Sequence, residues 1–74
     1  MEIQQFLVDF AAEFDSLKPT DISANTELES IEEWSSLQAL SIIAMIDAKY
    51  DRKVSGTEVN KAHTVGEIFQ LVNQ

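Results

Sequence analysis

The chain has no cysteine, one proline, two glycines and one histidine in 74 residues. Without cysteine there is neither a disulfide framework nor a thiolate metal site, and nothing points to an oxidising compartment. A lone histidine makes neither a closed metal site nor a serine triad, so His63 reads as a surface or capping residue near a helix start. Two glycines leave no glycine-rich phosphate loop. No apolar run approaches the ~20 residues of a membrane span. The start, Met1-Glu2-Ile3-Gln4-Gln5, lacks the basic opening and apolar core of a secretory signal. The expectation is a soluble, cytoplasmic, single small domain over residues 1–74.

Basic residues are also scarce, and their placement is uneven. The formal charge is −8. Up to residue 33 the acids are Glu2, Asp9, Glu13, Asp15, Asp21, Glu27, Glu29, Glu32 and Glu33, against Lys18 alone. From Trp34 onward Asp47, Asp51, Glu58 and Glu67 are balanced by Lys49, Arg52, Lys53 and Lys61. All of the net charge therefore precedes Trp34. Such a distribution opposes binding to a phosphate backbone and excludes a nucleic-acid binder, while suiting a partner with a basic surface.

Hydrophobic spacing gives the architecture. Ile3, Phe6, Leu7, Phe10, Ala11, Phe14 and Leu17 recur at helical intervals, which predicts an amphipathic helix over about 2–17, stopped at Lys18-Pro19. Residues 18–34 show no sustained period. Their Thr, Asp, Ser and Asn content reads as a long loop, with Ile22, Leu28, Ile31 and Trp34 as pins onto the core and room for a helical turn or two. Ser35 with Gln38, Ser55 with Glu58 and Thr64 with Glu67 each fit a capping box, marking three further helix starts. The chain thus reads as all-α: a four-helix bundle with a long first loop and a short third helix.

The helix from Ser35 to Tyr50 has two faces. Ala39, Ile42, Ile43, Ile46 and Tyr50 share about a third of its circumference and read as core. On the other side Leu37, Leu40, Ser41, Ala44, Met45 and Ala48 carry no charge, and only Gln38, Asp47 and Lys49 flank them. An uncharged second face on so short a chain reads as a surface for partners.

Enzyme chemistry finds no purchase. Asp51-Arg52-Lys53-Val54-Ser55-Gly56 imitates the front of a calcium loop, but Lys53 occupies a ligand position and Ala62 stands where a bidentate carboxylate is required. Glu32-Glu33 are adjacent acids on a surface loop with no enclosing pocket. No catalytic residue and no metal ligand is assigned.

An acidic loop, then Trp34-Ser35-Ser36-Leu37, an apolar helix, and finally Thr64-Val65-Gly66-Glu67-Ile68-Phe69 resembles the acyl carrier protein family over nearly the whole chain. Members of that family are four-helix bundles with a long first loop. Their Asp-Ser-Leu motif opens the second helix, and its serine carries 4′-phosphopantetheine derived from coenzyme A. The resemblance implies that Ser36 is the attachment serine and that the arm holds acyl groups as thioesters. It implies a monomer whose partners are a phosphopantetheinyl transferase and acyl-transferring or acyl-activating enzymes, in fatty acid, polyketide or related acyl metabolism. Docking would use Leu37, Gln38, Leu40, Ser41, Ala44, Met45 and Ala48, with Glu32 and Glu33, against basic or apolar surfaces. Ser35 departs from the motif: it keeps the helix cap and loses the charge that the family associates with attachment of the arm. The alternative is an unmodified interaction module on the carrier fold.

Overall fold

Two phenylalanines on one face of the first helix, and a third just beyond its end, set how the chain closes around it. In the computed structural model, which describes residues 2–73, α1 spans Ile3–Ala11. Phe6 and Phe10 are fully buried. The Phe6 ring lies 5.4 Å from Phe69 and 5.9 Å from Tyr50, and the Phe10 ring lies 5.2 Å from Phe14. Tilted pairs of this kind add roughly 0.5–1.5 kcal/mol each beyond the area they bury.

The other helices are α2 (Ser36–Tyr50), α3 (Gly56–Lys61) and α4 (Val65–Val72). Short 3₁₀ turns at Pro19–Asp21 and Leu28–Ser30 interrupt the long loop. Among the described residues there is no strand, only a single antiparallel bridge between Glu27 and Thr64. The expected all-α bundle with a short third helix is the observed fold. Ile22, Leu28 and Ile31 are buried and Trp34 packs against the core, so the loop is pinned where its apolar residues lie.

The first helix is shorter than its periodicity predicts. After Ala11 the chain tightens, with Glu13 N–H donating to the Phe10 carbonyl and Phe14 N–H to that of Ala11. The next two amides, of Asp15 and Ser16, donate instead to the carboxylate of Glu33. A side chain far along the sequence thus takes up the amides just past the tightened turn, while Phe14 stays in the core from that non-helical turn.

Two further contacts set the frame. Near the end of α2, Tyr50 donates its hydroxyl to the buried Asp9 carboxylate at 2.5 Å, and Lys49 and Gln5 reach the same group at 3.3 and 3.2 Å. Burial alone pushes the Asp9 carboxyl up, but the hydrogen bonds from Tyr50, Gln5 and Lys49 and the Lys49 charge outweigh it and hold the group below its ordinary range. The loop docks on the start of α4 through Val65 N–H to the Thr26 carbonyl and Gly66 N–H to the Ala24 carbonyl, at 3.0 and 2.9 Å. A β-carbon on Gly66 would stand 2.8 Å from that Ala24 oxygen, so glycine is what lets the loop come this close.

Candidate functional site

The start of α2 is built from the residues just before it. Trp34 lies against α1, its ring stacked at 16° over Phe10 with centroids 6.3 Å apart. Beside it, the Glu33 carboxylate accepts from Ser16 Oγ at 2.7 Å, from Ser16 N at 3.1 Å and from Asp15 N at 3.3 Å. The Ser16 hydroxyl, then the Ser16 amide, hold this carboxyl below its usual range with help from Asp15, against a smaller upward push from desolvation. The chain therefore arrives at Ser35 from two fixed points.

Ser35 is extended (φ −161°, ψ 174°) and caps α2, its hydroxyl accepting from Gln38 N at 3.3 Å and its carbonyl from Ala39 N at 2.9 Å. The return half of the expected box is missing. Gln38 Oε1 is buried without a hydrogen-bond partner instead of reaching back to the Ser35 amide. At Ser55 the box is complete, and at Thr64 the Glu67 carboxylate accepts from the amide of His63, one residue earlier.

Ser36 is the first residue of α2, and it is exposed. By helix geometry the opening amides of α2 have no carbonyl one turn back, and the helix dipole places partial positive charge there. No acid stands in the first turn of α2. An accessible hydroxyl, opening amides and a first turn without acid together suit an anionic group on the serine oxygen.

The outer face of α2 is partly as the sequence implies. Leu37 is 74% and Leu40 61% exposed, and Ala44 and Ala48 are exposed beside them. Ser41 and Gln38 are half-buried. Met45 is a correction: it is 4% exposed and belongs to the core. Met45 lies three residues beyond Ile42, about 60° around the helix. α3 packs along α2 and brings Val59 into the same core, so the buried arc extends towards Met45, while Ile43 on the other flank is only half-buried. Met45 is thus removed from the face that the sequence reading assigned to docking. Of the two acids assigned to docking, Glu32 is exposed, whereas the Glu33 carboxylate is engaged with Asp15 and Ser16. Asp47 pairs with Lys53 at 3.3 Å on the surface.

Ser16 is the residue that sequence reasoning missed. Nothing local marks it, because its role is fixed by an acid on the far side of the long loop. A cleft of about 270 Å³ also opens beside Trp34, between the loop and α3. Among the described residues no group of three or more potential ligands is placed to hold a metal, and no helix is long and apolar enough to cross a membrane.

No family model, curated protein or solved structure matches the chain.

Proposed function

We propose that this protein is an acyl carrier, with 4′-phosphopantetheine attached through Ser36. The observation that carries the reading is the place of that serine: the one matching the family motif is exposed at the first position of a capped helix whose first turn has no acid. Ser36 Oγ takes the arm from coenzyme A by displacing the nucleotide half of that molecule on a transferase. When bound, the arm supplies a terminal thiol on which an acyl group travels as a thioester.

The chain's own residues then have separable duties. Ser35 fixes the helix start, Trp34 holds that start against α1, and Glu33 ties it to the segment just past α1. Leu37, Leu40, Ala44 and Ala48 offer apolar and small contact area to acyl-transferring or acyl-activating enzymes, which suits brief docking on many partners. Glu32 and its exposed neighbours steer basic surfaces towards that face. A cytoplasmic, monomeric carrier is the form this reading takes.

A second reading, an interaction module without an arm, is favoured by one feature. The Ser35 hydroxyl completes the cap where the family has a carboxylate, so docking through Leu37 and Leu40 requires no modification. The two readings separate on the intact mass of wild type and Ser36→Ala after incubation with coenzyme A and a broad-specificity transferase.

A further inference from the structure

The cleft beside Trp34 has a chemistry of its own. Its floor is Leu28 and Val59, both almost fully buried, and its rim is Glu29, Trp34, Asn60 and His63. At about 270 Å³ it is smaller than the roughly 300–1,000 Å³ of sites for drug-sized ligands, so it suits a small group. Glu29, Asn60 and His63 are exposed, and their side chains enter no hydrogen bond or ion pair among the described residues. The Glu29 carboxylate is unengaged among the described residues, as are those of Glu27 and Glu32 on the same loop, and of the three it is the one that lines the cleft. Trp34 stacks on Phe10 and Phe14, is half-buried, and lines the cleft.

A carboxylate beside an indole is a recognition pair for a small organic cation: the acid accepts charge-assisted hydrogen bonds and the ring contributes its quadrupole. Asn60 adds a neutral acceptor and donor for an adjoining carbonyl. Trp34, which lines the cleft, precedes Ser36 by two residues in the chain, within reach of a flexible arm on that serine. A long aliphatic chain, by contrast, would leave apolar surface against this polar rim or have to part Leu28 from Val59.

We infer that this cleft receives the cargo of the carrier and selects for a short acyl group bearing an amine, an aminoacyl thioester, through Glu29, Trp34 and Asn60. The inference rests on the carrier reading of Ser36. It assigns the substrate class from the cleft, which that reading leaves open.

The test uses the full chain loaded with three coenzyme A analogues whose glycyl, acetyl or octanoyl group is held by a stable amide, with loading verified by intact mass. The glycyl form should melt about 2–4 °C above the acetyl form and change Trp34 fluorescence. In Glu29→Gln, loaded in the same way, that difference should vanish. Equal melting and fluorescence for glycyl and acetyl forms, or greatest stabilisation by octanoyl, would overturn the aminoacyl assignment while leaving the carrier reading intact. Absence of a mass gain with every analogue would overturn the carrier reading, and this inference with it.

Discussion

The Ser16 hydroxyl donates to Glu33 at 2.7 Å, joining the chain just past α1 to the residue just ahead of Trp34. With the stacking of Trp34 on Phe10, this contact orients the segment that leads into Ser35 and Ser36. Glu33→Gln should lower the melting temperature, because the neutral amide accepts these bonds more weakly. The sign of the pH effect follows from a carboxyl held below its ordinary value. The stabilisation is present above the unfolded carboxyl pKa, near 4.5, and is lost as pH falls through the lower folded value. Acid melts of wild type and Glu33→Gln should therefore converge below that window. A constant difference down to strong acid would show that the charge of Glu33 is not what holds the contact.

Leu40 and Met45 were indistinguishable by hydrophobicity and fall on opposite sides of the boundary between surface and core. Met45→Ala should cost about 2–5 kcal/mol, as a core truncation, whereas Leu40→Ala should stay within about 0.5 kcal/mol. Urea unfolding of the two variants measures both. Equal losses would mean that Leu40 is covered or that Met45 is not.

The junction of α1 and α2 should fail at both ends of the pH scale. The Asp9 carboxyl lies below its ordinary range, so its contribution is present above the unfolded value and disappears as pH falls through the folded one. Tyr50 is raised by burial first and then by Asp9, so its contribution is full below about pH 10 and is lost as pH rises through the folded value. Tyr50→Phe should destabilise at neutral pH and remove the alkaline loss between pH 10 and 12. Stability measured across that range should thus fall in wild type and stay nearly flat in the variant.

The two glycines should respond oppositely to a methyl group. Gly56 has open space around it, so Gly56→Ala should be neutral or stabilising by up to ~1 kcal/mol. At Gly66 the added carbon meets the Ala24 backbone, so Gly66→Ala should cost about 1–3 kcal/mol and loosen the loop from α4. Hydrogen exchange at the Gly66 amide reports the second effect.

The helices and the pinned loop were legible in the sequence because apolar spacing and capping residues are local signals. Phe6, Phe10, Ile42 and Ile46 announce their burial by period, and Ser55 with Glu58 announces a helix start within four residues. The end of α1 was not legible, since the apolar period runs on through Phe14 and Leu17, and the amides past the turn are taken by Glu33 from across the loop. Nor was the burial of Met45, which depends on the side of α2 that α3 covers. Asp51 in the left-handed region after α2 (φ 54°) is a turn Asp can adopt, but no residue beside it marks the position. The exposure of Ser36 followed from its place at a helix start, whereas the cleft at Trp34 joins residues from the loop and α3 and had no signature along the chain.

The most direct measurement is the intact mass of wild type, Ser36→Ala and Ser35→Asp after incubation with coenzyme A and a broad-specificity transferase, with the added group mapped by fragmentation. One phosphopantetheinyl group should appear on Ser36 of the wild type and none on Ser36→Ala. Ser35→Asp should gain it faster, since the carboxylate preserves the cap and adds a charge favourable to the helix start. A mass gain that survives Ser36→Ala, or no gain by either wild type or Ser35→Asp, would contradict the account.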